Sequence, residues 1–355
     1  MRFIIEALDV DENDVCYCAF TGKAAEVLRK KGNKNTCTLH KLLYESIPKP
    51  TGGFIRRRKT SIDYKIIIVD EVSMAPKTLI DLLFTHNIYV ICLGDPGQLP
   101  PIDKDEDNHL LDHPHVFLDE IMRQAQESEI IQLTMKIRNG ELINYYNGKE
   151  VKIIPYFQLN TGVLQWGDQI LTATNVKRQT INNQMRQLLN HPNYPVDGDK
   201  MICLRNYWED FSVNGDPLVN GTIGILKNSF QTWRQIPPII KSNIKKFDIL
   251  TSDLIIPDTN DIYDLVDMDQ KMILTGNKCC DWKLSYRLGK LRPKYGDIVP
   301  KEFAYAYAVT GHKAQGSEWP NVVVLEESFP FDKTEHARWL YTCCTRASEK
   351  LVLVR

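Results

Sequence analysis

Several features that would place a chain in a special class are missing from these 355 residues. No apolar run approaches the ~20 residues that a membrane-spanning helix needs, and the N-terminus lacks the pattern of a secretory signal peptide. No two cysteines have the C-x-x-C spacing of common zinc and redox sites. The formal net charge of -1 provides no global field that would attract a polyanion. We therefore expect a soluble protein that meets charged partners through local patches and does not contact a membrane.

The nine cysteines are scattered along the chain. Cys16 and Cys18 alternate on a predicted strand, and 279–280 and 343–344 are adjacent pairs, so neither a zinc site nor a disulfide framework has the required spacing. The odd count and the scattered placement of the cysteines suit a reducing compartment. The sequence thus predicts a cytoplasmic protein, in a prokaryote or in a virus-infected cell.

What is present is an ordinary globular composition, with 43% hydrophobic and 25% charged residues. A chain of this length is too long for one average core, so two or more domains are expected.

Two short apolar runs, at 66–69 and 88–93, have strand length and are rich in β-branched residues. They predict buried parallel strands of an α/β sheet. Asp70 and Glu71 follow the first run, and 94–98 follows the second. Ligands of open parallel sheets bind outside the carboxyl ends of the strands, so we expect these polar residues side by side in one crevice. The alternative is that the polar residues at the two strand ends are only solvated and bind no ligand.

Other segments extend this pattern. Residues 15–20 predict a strand that turns into a helix at 24–31, and residues 128–138 predict another helix. From residue 201 the sequence changes to short strand-like pieces separated by turns, and a β-rich module at 215–300 is the simplest explanation. Three later stretches are interpreted as strand-like: MILTG (272–276), WKLSYRL (282–288) and WLYTC (339–343).

Between residues 44 and 64 the chain carries two prolines, a Gly-Gly pair and four consecutive cations. This composition predicts a hairpin inserted in an α/β domain, with Phe54 near its tip and Arg57 in the basic run. An aromatic residue beside a basic run suits stacking on a single strand and tracking of its phosphates. An exposed basic loop without a binding role is the alternative.

Four stretches resemble, in this order, motifs II, III, V and VI of superfamily 1 DNA helicases. They are VDEVSM (69–74), GDPGQLPPI (94–102), TGHKAQGSEW (310–319) and YTCCTRA (341–347). The RecD/Dda-like branch is the most similar: FTGKAAEVL (20–28) with TLHKLL (38–43) resembles its motif Ia region, and Arg123 with Gln124 resembles its motif IV. The resemblance covers nearly the whole chain and is weakest at about 229–291.

The resemblance and the chemistry of the residues together assign roles around ATP. Mg²⁺ prefers oxygen ligands, so Asp70 at a strand end is the candidate metal ligand. Glu71 is the candidate general base that polarises the attacking water. Gln98, in a loop stiffened by glycine and proline, is the candidate sensor of the γ-phosphate. Gln315 and Gly316 face the nucleotide by resemblance.

Arg123 and Arg346 are the candidate arginine fingers that neutralise charge on the transferred phosphoryl group. A surface ion pair is the usual alternative for an arginine. Arg346 is favoured over that alternative because it lies between the strand-like WLYTC stretch and a final predicted strand.

Nucleic-acid contacts are expected on two sets of loops. Thr310, His312 and Lys313 offer hydroxyl, imidazole and ammonium groups that suit a DNA phosphate. A histidine in isolation is more often structural, and His312 is weighted here by its neighbours. The opposite half of the strand-binding track is, by resemblance, formed by Thr21, Lys23, Thr38 and His40.

The family's phosphate-cradling loop, G-x-x-x-x-G-K-[ST], does not occur in the sequence. Gly22-Lys23 has Tyr17 in place of the first glycine and Ala24 in place of the hydroxyl residue. The order of the motifs places the loop immediately before Arg2. The sequence is therefore expected to be a truncated form that starts inside motif I.

The expected fold class is α/β, with two RecA-like domains of the P-loop NTPase type. The first is assigned to 1–122 with its hairpin at 44–64, the second to 123–214 and 301–355, and a β-rich insertion, SH3-like by resemblance, to 215–300. The implied function is ATP-driven 5′-to-3′ translocation on single-stranded DNA, with unwinding at duplex junctions, in replication, repair or recombination. The sequence names no protein partner.

Two other functions remain open at this point. One is a single-stranded nucleic-acid-binding module that does not hydrolyse ATP. The other is an RNA-directed helicase of the same superfamily.

Overall fold

The computed structural model of the protein describes residues 2–7, 10–48, 54–118, 127–257, 259–330 and 332–355. The chain divides into two compact units. Unit 1 comprises Met1–Tyr44, Arg58–Ile181 and Ala308–Arg355, and unit 2 comprises Glu45–Arg57 and Asn182–Tyr307. Within the described ranges, no helix combines the length and the apolar character that crossing a bilayer demands.

A four-stranded parallel sheet forms one half of unit 1. Its strands, numbered in chain order, are β1 (Val15–Ala19), β2 (Thr36–Thr38), β5 (Ile66–Asp70) and β6 (Tyr89–Cys92), arranged β2-β1-β5-β6. β3 (Tyr44–Pro48) and β4 (Phe54–Arg58) pair separately, where the sequence predicts a hairpin. The strands predicted at 15–20, 66–69 and 88–93 are confirmed within one or two residues.

Successive side chains of β1 point to opposite faces of this sheet and belong to two separate hydrophobic clusters. Val15 and Tyr17 pack with the helix Gly22–Lys30, whereas Cys16 and Cys18 pack in a cluster that includes the helix Leu39–Leu43. Because both faces of β1 are covered, every one of its residues is buried and its sequence is continuously apolar. The remaining helices of this half are Arg2–Ala7 and Lys77–Phe84.

The other half of unit 1 is a six-stranded sheet. Its strands are β7 (Tyr146–Asn147), β8 (Val151–Ile154), β9 (Gln169–Thr172), β17 (Ala308–Thr310), β18 (Trp319–Leu325) and β19 (Ala347–Val354), in the order β17-β9-β18-β19-β8-β7. All neighbours are parallel except β7 with β8. Its helices are Glu129–Arg138, Thr161–Trp166, Gly311–Ala314 and Lys333–Cys344. The helix Asn175–Leu188 begins in unit 1 and ends in unit 2.

The strand-like interpretation of WLYTC is wrong, because these residues belong to the helix Lys333–Cys344. Asp332 caps that helix by accepting hydrogen bonds from two backbone N–H groups of its first turn. Residues 339–344 are all buried, and a helix that is covered on every side shows no polar stripe. Periodicity therefore could not separate this segment from a buried strand.

Unit 2 contains the strands β10 (Lys200–Cys203), β11 (Tyr207–Phe211), β12 (Pro217–Leu218), β13 (Ile223–Gln235), β14 (Lys246–Ile256), β15 (Asp261–Asp269) and β16 (Phe303–Tyr305). Five of them form an antiparallel sheet in the order β15-β14-β13-β10-β16, and β11 pairs separately with β12. The sheet thus includes strands on both sides of 215–300. The domain boundaries given by the sequence stay a prediction.

Two more strand-like interpretations are wrong in unit 2. The MILTG stretch lies in the helix Gln270–Thr275 and WKLSYRL lies in the helix Trp282–Gly289, followed by the short helix Arg292–Tyr295. Asp269 and Asp281 are the N-caps, each accepting a hydrogen bond from the backbone N–H three residues later. An aspartate just before each stretch is the sequence signal that could have indicated a helix start.

A buried polar cluster lies within unit 2 around Asp199, which has no exposed surface. Arg186 donates two hydrogen bonds to its carboxylate at 2.9 and 3.1 Å, and the Tyr307 hydroxyl donates a third at 2.9 Å. His191 Nδ1 lies 2.9 Å from the same carboxylate. Asp199 directly precedes β10, the first strand of this sheet in the chain, and Tyr307 follows β16, the last one. The cluster therefore links the chain where it enters the sheet to the chain where it leaves it.

Candidate functional site

Asp70 and Glu71 stand at the carboxyl end of β5, the central part of the first sheet. The Glu71 backbone N–H donates to the Asp70 carboxylate at 3.0 Å, and Glu71 has a left-handed backbone with φ of 52°. A non-glycine residue held in that region stores strain, which is common at functional sites. The chain then turns so that the Val72 N–H donates to the Leu93 carbonyl beyond β6. The two strand ends that the sequence predicts to be neighbours therefore lie side by side.

Burial is the main electrostatic influence on these two carboxyl groups. It raises the pKa of Asp70 and the pKa of Glu71. The positive charge of Arg346 lowers the pKa of Glu71, while the negative charges of Asp70 and Asp95 raise it. A carboxylate with a raised pKa is a better proton acceptor, as a general base requires.

The loop after β6 lies against the helix Lys333–Cys344. Asp95 accepts a hydrogen bond from the Gly97 N–H at 2.8 Å and another from the Tyr341 hydroxyl at 2.6 Å. A Cβ on Gly97 would approach the Tyr341 ring to 3.1 Å, so the fit depends on the missing side chain. Arg138 lies 3.9 Å from Asp95 and adds a positive charge at this point.

Two further hydrogen bonds join this loop to elements of the second sheet. The Leu99 N–H donates to Thr342 Oγ1 at 3.0 Å, and Gln315 Nε2 donates to the Leu99 carbonyl at 3.2 Å. The four stretches that resemble motifs II, III, V and VI therefore come together within unit 1, and the region where they meet is called the cleft below.

Arg346 is held in this cleft by three hydrogen bonds. Its guanidinium donates to the carbonyls of Thr342 and Ser317 and to the hydroxyl of Thr345, at 3.0 to 3.3 Å. The residue is only 8% exposed, so it is not the surface ion pair considered as the alternative. A guanidinium has five N–H donors, which leaves two that these bonds do not use.

Three buried oxygen atoms in the cleft lack a hydrogen-bond partner among the described residues: Glu71 Oε2, Gln98 Oε1 and Gln315 Oε1. Buried polar atoms in folded proteins are nearly always hydrogen-bonded. Oxygen acceptors and free arginine donors in the same cleft fit a ligand that carries both polar hydrogens and anionic oxygens. Water supplies the polar hydrogens and nucleotide phosphates supply the anionic oxygens, so the residues present fit ATP together with a bound water.

Gly316 follows Gln315 in the same loop and has a positive φ of 76°. A Cβ at this position would lie 3.3 Å from the Ala24 side chain, which belongs to the first turn of the helix Gly22–Lys30. The structure thus places Gly316 against the first half of unit 1, and its predicted contact with nucleotide stays a prediction.

The three threonines predicted to contact nucleic acid are all helix N-caps. The hydroxyls of Thr21 and Thr38 accept hydrogen bonds from the N–H groups of Ala24 and Lys41, at 3.1 and 3.3 Å. The Thr310 side chain makes no capping bond. Because a hydroxyl both donates and accepts, Thr21 keeps a donor for a phosphate. Thr38 is 3% exposed, which limits it as a direct contact.

The four ionisable or aromatic candidates differ in their surroundings. Lys23 pairs with Glu26 at 3.3 Å, and the His40 ring lies 6.3 Å from the Tyr44 ring in a stacked arrangement. Burial lowers the pKa of His312, so its imidazole is neutral near pH 7 and can act as a hydrogen-bond donor without a charge. Lys313 is exposed.

Two predicted residues belong to the hairpin strand β4. Arg57 is exposed and pairs with Glu45 at 2.7 Å, and the backbone of Phe54 starts β4. Arg123 and its neighbour Gln124 lie outside the described residues.

Sequence reasoning did not single out Tyr341, Thr342 or Arg138. The first two lie in the YTCCTRA stretch, so the signal was present, but their partners lie more than 240 positions earlier in the chain. Arg138 ends a predicted helix, and nothing in its sequence neighbourhood indicates that it lies near Asp95.

Comparison with known families and proteins agrees with this arrangement. Residues 1–152 match a family model for an AAA domain, and residues 305–354 match the model for the UvrD-like helicase C-terminal domain. The uncharacterized protein R530 of Acanthamoeba polyphaga mimivirus is 24% identical, over 99% of this chain and 90% of that protein. The ATP-dependent RecD2 DNA helicase of Deinococcus radiodurans is 34% identical over 36% of this chain, but the match spans only 18% of RecD2.

Two solved structures share the fold. The Pif1 helicase of Candida albicans superposes with a TM-score of 0.52 at 16% identity, covering 100% of this chain and 87% of that one. Pif1 from Bacteroides, in complex with ADP-AlF3 and single-stranded DNA, gives 0.51 at 16% identity, covering 99% and 84%. At this identity the likeness concerns the fold alone.

The two mainly parallel sheets of unit 1, with motifs from both lying close together, have the arrangement of the two RecA-like domains in the Pif1 structures. The matches to the UvrD-like helicase C-terminal model, the AAA model and RecD2 support a superfamily 1 helicase of the RecD/Pif1-like kind. They thereby support an ATP-dependent DNA helicase by family.

Proposed function

We propose that unit 1 hydrolyses ATP to drive 5′-to-3′ translocation on single-stranded DNA and strand separation at duplex junctions. The observation that carries the proposal is the cleft in which Glu71, Gln98, Gln315 and Arg346 come together, with three unpartnered buried oxygens. Residues from two sheets meet there, so a change at the nucleotide reaches both halves of the unit.

The residues of the cleft fit a bound nucleotide and Mg²⁺ in distinct ways. Asp70 would hold the metal, the unpartnered side-chain oxygens of Gln98 and Gln315 would accept hydrogen bonds from water, and the two unused donors of Arg346 would bind phosphate oxygens. ATP supplies the phosphoanhydride bond whose hydrolysis provides the energy. Glu71, with its raised pKa, accepts the proton of a water held at Oε2, and Arg346 stabilises negative charge.

The catalytic part of the proposal is tested by Glu71→Gln in an N-terminally extended form that carries a glycine-rich phosphate loop. We expect ATP turnover to fall by at least ~100-fold, with nucleotide binding retained, because the amide fills the same space but cannot take a proton. Glu349→Gln, an exposed change in β19, is the matched control and keeps full turnover. Retained turnover in the Glu71→Gln protein would remove this residue as the base.

The binding-module alternative is separated by comparing DNA-stimulated ATPase of this chain with that of the extended form. Turnover in the extended form supports the enzyme. If both are inactive while both bind single-stranded DNA, the function is binding alone. Whether the chain is a truncated form stays a prediction, and the codons upstream of Met1 test it.

The substrate and direction need two more comparisons. Single-stranded DNA and RNA of equal sequence are compared as activators of the ATPase, and stronger activation by RNA would favour the RNA-directed alternative. Forked duplexes with one 5′ or one 3′ single-stranded tail then report polarity, and unwinding only from the 3′ tail would overturn the proposed direction. We propose action in DNA replication, repair or recombination in the cytoplasm.

A further inference from the structure

Three cysteine sulfurs lie in mutual contact on one face of the first sheet. Cys16 Sγ is 3.5 Å from Cys18 Sγ and 3.6 Å from Cys37 Sγ, and the last two are 3.6 Å apart. Cys16 and Cys18 are buried, Cys37 is half-buried, and all three are free thiols. We call this group the thiol triangle.

The strand geometry explains why these residues meet. Cys16 and Cys18 are two positions apart on β1, so their side chains leave the same face. Cys37 is the register partner of Cys18 on the parallel neighbour β2. The spacing rule that looks for C-x-x-C pairs did not anticipate the cluster, because its third member comes from another strand.

The triangle has the dimensions of one face of a metal–thiolate site. Its centre lies about 2.1 Å from each sulfur, given edges of 3.5–3.6 Å. A cation with Zn–S bonds of about 2.3 Å would sit roughly 1 Å above that plane, with a fourth position open on the far side. We propose that Cys16, Cys18 and Cys37 bind one thiophilic cation, Zn²⁺ or Cu⁺, as three thiolates.

The surroundings favour a soft cation over a hard one. Sulfur ligands in an apolar pocket select zinc or copper(I) over Mg²⁺ or Ca²⁺, and Leu39, Leu42 and Ile67 belong to the same buried cluster as Cys16 and Cys18. Three thiolates around a single cation leave net negative charge. Lys41 and Lys59 interact electrostatically with the thiol groups and offset that charge.

A metal bound at the thiol triangle would link the edge strand β2 to its neighbour β1. β2 lies at the end of the sheet and has β1 as its neighbour, and Cys37 directly precedes Thr38. A metal that joins Cys37 to Cys16 and Cys18 therefore holds β2 and the predicted nucleic-acid residue Thr38 in place. Binding exchanges each thiol proton for a metal–sulfur bond, so up to three protons leave per cation.

The first experiment uses the unmodified chain. After purification under reducing conditions, zinc and copper are quantified by mass spectrometry, and the metal-free protein is titrated with Co²⁺ as a spectroscopic probe. We expect one metal ion per chain and a thiolate-to-cobalt charge-transfer absorption that saturates at one equivalent. Zinc displaces the cobalt if Zn²⁺ is the preferred ion; copper content and a copper(I) competition assay report the other case.

A pair of single variants assigns the ligands. Cys37→Ser, at the half-buried corner of the triangle, should abolish the charge-transfer band and lower the melting temperature of the metal-loaded protein. Cys92→Ser on β6 is the matched control, since Cys92 is also a half-buried free thiol of this sheet and is not part of the triangle. It should leave metal content and the spectrum unchanged.

The proposal fails if the wild-type chain contains no zinc or copper and gives no charge-transfer band with Co²⁺. It also fails if Cys37→Ser and Cys92→Ser bind metal equally well. Neither readout depends on ATPase, so loss of the metal site and loss of the proposed helicase function are distinguishable.

Discussion

Burial raises the pKa of the Glu71 carboxyl, the charge of Arg346 lowers it, and Asp70 and Asp95 raise it again. The net shift is upward, so the folded state holds this proton more tightly than the unfolded state does. Stability contributed by the protonated form is present at low pH and is lost as the pH rises through the folded-state pKa. At neutral pH the ionised carboxylate therefore destabilises the fold while it serves as the base.

We expect Glu71→Gln to unfold at a higher urea concentration than wild type at pH 7.5, because the amide needs no charge desolvation. The advantage should shrink as the pH falls below the usual glutamate range, where both side chains are neutral. Urea denaturation across this pH series measures it, with Glu349→Gln as the exposed control. A constant advantage at all pH values would contradict the electrostatic cause.

The Tyr341 hydroxyl makes the shortest link between the loop after β6 and the helix Lys333–Cys344, at 2.6 Å from Asp95. A hydrogen bond to a charged group contributes about 1.5–3 kcal/mol. We expect Tyr341→Phe to lower the free energy of unfolding by that amount, because Asp95 loses a partner in a half-buried site.

The control is Tyr89→Phe, since Tyr89 is 81% exposed and its change should stay within ~0.5 kcal/mol. Urea denaturation of both variants, followed by far-ultraviolet circular dichroism, gives the comparison. Equal stability of the two variants would show that the link to Asp95 contributes nothing measurable.

At the level of elements, the short helix Gly311–Ala314 contacts the helix Lys333–Cys344. A Cβ at Gly311 would lie 2.8 Å from both Cys343 Sγ and Trp339 Nε1. Trp339 is 1% exposed and has no space to withdraw into. The glycine is therefore required by close approach, and overpacking of such a site costs about 1–3 kcal/mol.

We predict that Gly311→Ala lowers the free energy of unfolding by this amount and weakens DNA-stimulated ATPase in the extended form. Gly289→Ala, where no atom lies within 4 Å of the added methyl, should be neutral or stabilising by up to ~1 kcal/mol, as alanine is the better helix former. Thermal unfolding of the two proteins tests the pair. A stable Gly311→Ala protein would mean that the two helices separate readily.

For the whole molecule, the decisive interactions join segments that are far apart in the chain. Unit 1 is assembled from three segments, and unit 2 is formed mainly by the residues between them. The Asp199 cluster links the chain before β10 to the chain after β16. It stabilises the fold because hydrogen bonds from Arg186 and Tyr307 satisfy a fully buried carboxylate.

We expect Asp199→Ala to destabilise unit 2 by about 3–5 kcal/mol, because it leaves the buried Arg186 guanidinium without its counter-charge. Asp248→Ala is the comparison, since that carboxylate is 66% exposed and pairs with Lys246; a change below ~1 kcal/mol is expected. Hydrogen exchange of the β10 and β16 amides shows whether the loss of stability lies in this part of the sheet. Unchanged protection there in Asp199→Ala would show that the cluster does not support the sheet.

The sequence by itself determined the parallel strands of the first half, the order of the motifs and the polar residues at strand ends, because these are local patterns with fixed periods. It misjudged 272–276 and 339–343, because a short apolar run fits either a buried helix or a strand. It misjudged 282–288 because apolar and polar residues alternate there as in a half-buried strand.

Only the tertiary structure decided which side chains meet. The bond from Tyr341 to Asp95 spans 246 positions, and the thiol triangle joins two strands through their register. Such contacts depend on how strands are ordered in a sheet and on which face each residue occupies. Neither property is contained in the spacing of residues along one segment, so the roles of Tyr341, Arg138 and Cys37 emerged only from the fold.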